Sequence, residues 1–305
     1  MRALLSGLPA RRLGRQIGHG GDRLGDDRAG RRGVSKRRRV RPAAVLLVGC
    51  GKMGGALLDG WIKARVGGPW HVVEPSPRRR IRSARYYAAP DRLPRNLRPA
   101  AVVFAVKPQT FDTVLPHYRR FAADGAVMLS IAAGKTLVGM ARLLGADAAI
   151  VRAMPNTPAA IGRGISVACA LAGVTKASRA LCGALLGAVG EVAWIEDEAL
   201  LDPVTAVSGS GPAYVFLLIE CMAAAGEAQG LAPDLARRLA LATVAGAGEL
   251  ARVATASPAE LREAVTSPGG TTRAALDVLM AENGLGQLIR DAVAAATRRS
   301  RELAQ

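Results

Sequence analysis

Apolar positions follow one pattern in the first half of this chain and another in the second. Ala44–Val48, His71–Val73, Ala100–Val106, Val127–Ile131 and Ala149–Arg152 are short, mostly apolar runs. Runs of that length, bounded by Gly, Pro and polar clusters, predict strands buried on both faces. Helical segments such as Ala56–Ala64 lie between them, so the sheet should be parallel with right-handed crossovers. Beyond about residue 200 the apolar spacing turns helical. Gly211–Gln229 is closed by Gly230, and Pro233–Ala254 follows. Ser257-Pro258-Ala259-Glu260 reads as a capping box opening another helix, and Arg273–Met280 and a last helix to Leu303 complete the set. The change of pattern falls at about residues 195–205, and no internal repeat is evident.

Composition sharpens this outline. A chain of 305 residues is long enough for two cores. Half its residues are apolar but only 4% are aromatic, which suits close-packed helices on a parallel sheet better than a β-sandwich. No run of 18 or more apolar residues occurs, so a soluble protein without a membrane partner is expected. The net charge of +18 resembles a nucleic-acid signal until it is located. Residues 1–41 hold thirteen Lys and Arg against three Asp, more than half of the excess. That segment has no apolar periodicity and lacks the apolar stretch of a signal peptide, so it is expected to be a disordered, Arg-rich extension. A transit peptide, a basic arm and a dispensable extension remain open for it. The rest of the surface is still basic, which suits anionic cofactors and substrates. Cys50, Cys169, Cys182 and Cys221 show neither disulfide spacing nor accompanying histidines. No metal site is expected, and a reducing cytoplasm fits.

Three stretches carry chemistry. Gly49-Cys50-Gly51-Lys52-Met53-Gly54 follows an apolar strand, opens a helix and has Glu74 some 20 residues on, the arrangement of a dinucleotide-binding turn. Glu74 suits the ribose of NAD(H), whereas Ser76, Arg78 and Arg79 suit the 2′-phosphate of NADP(H); three consecutive arginines favour NADP(H), with NAD(H) still open. Lys107-Pro108-Gln109 ends the third strand on the edge where such sheets bind ligands. Ser267-Pro268-Gly269-Gly270-Thr271-Thr272 combines glycines, hydroxyls and a helix start, which is either a plain helix cap or a clamp for a small carboxylate. Absences narrow the reaction. The histidines are His19, His71 and His117, and the last lysine is Lys176, so the helical half offers neither as a base. Hydride exchange with an alcohol needs a base, but reduction of a protonated imine needs only positioning, an anion clamp and a hydroxyl near nitrogen.

In order along the chain stand Val48–Gly54, Ala105-Val106-Lys107-Pro108-Gln109, Ser130–Gly134, Met154-Pro155-Asn156-Thr157-Pro158, Ser208–Tyr214 and Val265–Thr272. With these six motifs the chain resembles pyrroline-5-carboxylate reductase over about residues 44–303. The resemblance implies a Rossmann-like domain (42–200), followed by a helical substrate and dimerisation domain (201–305) that interlocks with a second subunit. The implied reaction is hydride transfer from NAD(P)H to the imine carbon of 1-pyrroline-5-carboxylate, giving L-proline. It further implies that Ser267, Gly269, Gly270 and Thr271 hold the substrate carboxylate and that Thr272 bonds the ring nitrogen. Met154, Asn156 and Thr157 would lie between nicotinamide and substrate, Ala105, Val106, Lys107 and Pro108 would line the cofactor, and Ser208–Tyr214 would buttress the site. A related imine or hydroxyacid reductase and a non-catalytic dinucleotide-binding protein are the alternatives. The lysine-free helical half disfavours the hydroxyacid branch.

Overall fold

The computed structural model describes residues 43–77 and 79–303. The expected extension over 1–41 and the proposed cofactor residue Arg78 lie outside them.

Eight strands form one sheet: β1 (Val45–Val48), β2 (Trp70–Val73), β3 (Ala84–Tyr87), β4 (Ala101–Phe104), β5 (Val127–Ser130), β6 (Ile150–Met154), β7 (Gly164–Ala170) and β8 (Gly190–Trp194). Their spatial order is β3-β2-β1-β4-β5-β6-β7-β8. The first six run parallel, each in register with its neighbour; Val48, for example, sits between Val73 and Phe104. Two corrections to the sequence reading follow. β3, β7 and β8 were not anticipated, and the sheet is not wholly parallel, because β7 runs antiparallel to β6. The reason is connection length. Only residues 155–163 separate β6 from β7, too few for the crossover of a dozen or more residues that a parallel return requires.

Alternation along each strand builds two cores. In β1, Leu46 and Val48 face one side with Phe104, Met128 and Ile150, whereas Val45 and Leu47 face the other. The first side is covered by α2 (Pro108–Val114), α3 (Arg119–Ala123) and α4 (Leu137–Leu144), through Phe111, Phe121, Met140 and Leu144. The second is covered by α1 (Lys52–Ala64) and α5 (Lys176–Gly187), through Leu57, Leu58, Trp61 and Leu185. Trp61 is fully buried and its indole N–H donates to the Leu185 carbonyl at 2.8 Å, joining the two helices. Each such side chain stabilises the fold by about 1.5–3 kcal/mol relative to exposure.

After β8 the described chain is helical: α6 (Leu201–Val204), α7 (Gly211–Ala228), α8 (Pro233–Val253), α9 (Pro258–Ala264), α10 (Thr271–Leu279) and α11 (Leu285–Leu303). α11 packs back on α6, where Ser300 donates to the Asp202 carboxylate at 2.6 Å, and α7 packs on α8. Among the described residues, α9 and α10 pack extensively against no other element. The capping box at Ser257 and Glu260 is formed, with both of its reciprocal hydrogen bonds present. α10 begins at Thr271 rather than Arg273, so the two threonines stand inside its first turn instead of before it. By length and hydropathy the helical stretch Glu198–Ala228 would be able to cross a bilayer. Counting continuous apolar runs missed it because Ser208, Gly209, Ser210 and Gly211 interrupt the pattern. Val215, Phe216, Leu217 and Leu218 on α7 are exposed in the single chain.

Candidate active site

The strand order reverses between β1 and β4, and the loops leaving these two strands meet there. Gly49 has φ +89°, a conformation that side-chain-bearing residues rarely adopt, and a Cβ on it would lie 2.8 Å from the Ala105 carbonyl oxygen. A Cβ on Gly54 would lie 2.3 Å from the Gly49 carbonyl oxygen, so glycine is required for the helix to sit on the turn. Gly51 differs: a Cβ there would meet nothing within 4 Å. It is the N-cap of α1 and supplies no side-chain cap, so the first N–H groups of that helix face open space. A diphosphate fits such a cradle, drawn by the free donors and the helix dipole. Lys52 and Met53 form the helix start. Lys107 is the N-cap of α2, Pro108 its first residue, and Ala105 and Val106 lie beside Gly49.

Glu74 directly follows β2 at the same place. Its carboxylate accepts the Cys50 N–H at 2.8 Å and the Ser76 N–H at 3.2 Å. The acidic residue therefore touches the glycine turn, as its spacing in sequence implied. A cleft of about 270 Å³ opens here, lined among others by Cys50, Gly51, Lys52, Asp59, Arg79 and Tyr86. Arg79 pairs with Asp59 of α1. Burial, then the Glu74 and Asp59 carboxylates, push the Cys50 thiol pKa up, so it is protonated at neutral pH and no nucleophile. Asp59 and Tyr86 escaped the sequence reading. Tyr86 stands on the unanticipated β3, whereas Asp59 had a signal, since Lys52, Gly55, Ala56 and Asp59 share one helical stripe.

Met154, Asn156 and Thr157 leave β6 toward the helical half. The Asn156 side-chain oxygen accepts the Ile165 N–H at 2.9 Å, and its amide donates to the Ser208 hydroxyl at 3.3 Å. Met154 sulfur would lie 3.6 Å from a Cβ on Gly209. Ser208 belongs to a single π-helical turn, Thr205–Gly209, closed by the Ser210 N–H on the Thr205 carbonyl at 2.8 Å. Such turns mark functional positions often, and here one aims a hydroxyl at Asn156. An open hollow of about 560 Å³ adjoins them, with Ile165, Pro212, Tyr214 and Phe216 in its wall. From its sequence position Ser208 is expected only to buttress the site.

Ser267–Thr272 forms a separate turn. Gly269 has φ +69°, the Gly270 N–H donates to the Ser267 carbonyl at 3.1 Å, and Gly270 caps α10 without a side-chain bond. The Ala274 N–H is the first to pair, with the Gly270 carbonyl at 3.2 Å, which leaves those of Thr271, Thr272 and Arg273 as free helix-start donors. Ser267, Gly269 and Thr271 are exposed, and Thr272 is half-buried. Among the described residues no hydrogen bond or ion pair joins this turn to Gly49–Gly54 or to Met154–Thr157. One chain thus brings the cofactor turn, Glu74 and the β4 loop together, and Met154–Thr157 to Ser208, and leaves the hydroxyl-rich turn apart.

Residues 198–303 match the family model for pyrroline-5-carboxylate reductase dimerisation. The pyrroline-5-carboxylate reductase of Pseudomonas aeruginosa is 40% identical over 86% of this chain and 97% of its own length. Among solved structures, a pyrroline-5-carboxylate reductase from Coxiella burnetii superposes with a TM-score of 0.79 at 31% identity, covering 87% of this chain and 99% of that one. The Plasmodium falciparum pyrroline carboxylate reductase with NADP bound gives 0.75 at 28% identity, with the same coverage.

Proposed function

The chain belongs to the pyrroline-5-carboxylate reductase family, and on that premise we propose how its residues reduce 1-pyrroline-5-carboxylate to L-proline. It is an NAD(P)H-dependent oxidoreductase acting on a carbon–nitrogen double bond, and it self-associates through its helical part. The bound dinucleotide supplies a hydride to the imine carbon.

In our reading, residues 42–200 form the cofactor domain and 201–305 the substrate and dimerisation domain, a division supported by the last strand ending at Trp194. The helix start at Gly51–Met53 holds the diphosphate, Gly49 and Gly54 set the turn, and Glu74 and Ser76 border the ribose. Ala105–Pro108 flank the nicotinamide half. Met154, Asn156 and Thr157 stand between the two ligands, with Asn156 oriented by the Ile165 N–H. Thr271 and Thr272 receive the substrate carboxylate on free helix-start N–H groups, Gly269 and Gly270 shape the turn around it, Ser267 adds a hydroxyl, and Thr272 bonds the ring nitrogen. With a cationic imine as substrate, no base is required: electrostatic placement lowers the barrier, and the clamp orients the ring.

What carries this proposal is the turn at Ser267–Thr272, whose helix-start donors are free while, among the described residues, α9 and α10 pack extensively on no other element. A carboxylate clamp so placed serves a cofactor cleft on a second copy, brought near by the apolar face of α7. The same association covers Val215, Phe216, Leu217 and Leu218, exposed apolar residues within the stretch Glu198–Ala228. Four free thiols fit work in a reducing cytoplasm. Oxidation of NADPH and NADH with 1-pyrroline-5-carboxylate, followed at 340 nm with proline as the product measured, tests the activity. Turnover with at least one cofactor is expected, and none with either would end the proposal.

A further inference from the structure

We infer that Asp59 limits how strongly the cofactor site selects a 2′-phosphate, because it occupies the Arg79 guanidinium that such a phosphate would use. The inference rests on the cofactor reading above and deepens it. Among the described residues, Lys52 and Arg79 are the cations lining the cleft. Lys52 stands at the start of α1, where the diphosphate is placed. Arg79 lies past the end of β2, on the ribose side, five residues after Glu74. Its guanidinium turns back to α1 and engages both carboxylate oxygens of Asp59.

The surrounding contacts hold this arrangement. The Ile81 N–H donates to the Tyr86 hydroxyl at 3.2 Å, tying the segment that carries Arg79 to β3. The neighbouring Arg80 lies over the Tyr86 ring, 5.8 Å from its centre. Glu74 is engaged by two backbone N–H groups of the turns around it. At Cys50, the raising effects of the Glu74 and Asp59 carboxylates on the thiol both exceed the lowering effect of Arg79.

An incoming 2′-phosphate would have to displace Asp59 from Arg79 and then lie beside the released carboxylate. The pair is exposed, 65% at the arginine and 53% at the aspartate, so exchange is feasible, but repulsion between carboxylate and phosphate persists after it. A cofactor with a free 2′-hydroxyl meets neither obstacle. Asp59 thus narrows the difference between NADPH and NADH while leaving both able to bind.

The test is calorimetric binding of 2′,5′-ADP and 5′-AMP, then of NADPH and NADH, to the full-length protein. Asp59→Asn is expected to raise the affinity ratio of 2′,5′-ADP to 5′-AMP by about fivefold to tenfold, and the NADPH to NADH ratio in parallel. Arg79→Gln should lower both ratios, and in the double variant the gain from Asp59→Asn should shrink to what direct repulsion contributes, which shows that the rest acts through Arg79. An unchanged ratio in Asp59→Asn overturns the inference. A lower one also does, since Asp59 would then be orienting Arg79 for the phosphate. If none of the four molecules binds the wild-type protein, the cofactor reading fails and this inference with it; if they bind and the ratios do not move, this inference alone fails.

Discussion

Thr272 sits in the first turn of α10, half-buried, beside helix-start N–H groups that have no partner among the described residues. A hydroxyl there can bond a ring nitrogen while the neighbouring N–H groups hold the carboxylate carried by the adjacent ring carbon of the same ligand. Thr272→Ala is expected to lower kcat/KM for 1-pyrroline-5-carboxylate by about ten- to a thousandfold, roughly 1.4 to 4 kcal/mol, and Thr272→Ser to recover most of it. Steady-state kinetics at unchanged oligomer size checks this, and wild-type kinetics in the alanine variant would remove Thr272 from the reaction. His71, on β2, is a second residue with a defined consequence. Burial, and then Arg85, hold its pKa below the ordinary histidine value of 6.5, and its Nδ1 lies 3.0 Å from the Tyr87 hydroxyl. The unfolded chain therefore takes up the proton first as pH falls through 6.5, so folding stability drops from that point until the folded-state pKa is passed. Urea midpoints measured from pH 8 down to pH 5 should fall more for wild type than for His71→Gln. Equal slopes would show that His71 titrates normally.

At the scale of elements, one carboxylate joins three pieces of structure. Glu198, just past β8, accepts the Leu137 N–H that starts α4 and the Arg152 guanidinium from β6, each at 2.8 Å. Arg152 is 4% exposed, and its other terminal nitrogen has no hydrogen-bond partner. Removing the carboxylate would leave that cation buried and unpaired. Glu198→Gln is expected to cost about 3 kcal/mol of stability, read as a shift of the denaturation midpoint. Replacing both partners by apolar residues, Arg152→Met with Glu198→Leu, should cost less than the single change. Sequence spacing disclosed the helices well because their signals are local: Ser257 and Glu260 stand three apart, and the capping box forms between them. It missed β3, β7 and β8. β3 carries Arg85 and lies at a sheet edge, β8 alternates half-buried and exposed residues at the other edge, and neither presents the apolar run that marks a central strand. Glu198 has no local signal at all, since its partners stand 61 and 46 residues away.

For the whole molecule, the question is what covers the helical half. Phe216, Leu217 and Leu218 are 58%, 57% and 42% exposed in the single chain, apolar surface of the kind that self-association covers, and residues 198–303 match a dimerisation family. Phe216→Glu puts a charge on that face and is expected to yield a smaller species by sedimentation. Its kcat/KM should fall at least about tenfold at low protein concentration and recover as concentration rises, because the clamp and the cleft then meet again. Cofactor binding, which uses residues of one chain, should change little. A monomer with full activity would show that each chain completes its own site.

By itself the sequence determined the glycine turn, the acidic residue that meets it, the change from strands interleaved with helices to helices alone, and the lack of histidine and lysine in the helical half. Each depends on backbone sterics, periodicity or plain composition, which act over a few residues. Only the tertiary structure decided that Asp59 takes Arg79, that Asn156 is held by Ile165 and reaches Ser208, that Glu198 joins β6 to α4, and that Ser267–Thr272 stands clear of its own cofactor turn. Those facts depend on which surfaces face each other once two cores have closed around one sheet, and residues far apart in a chain carry no mark of that until it folds.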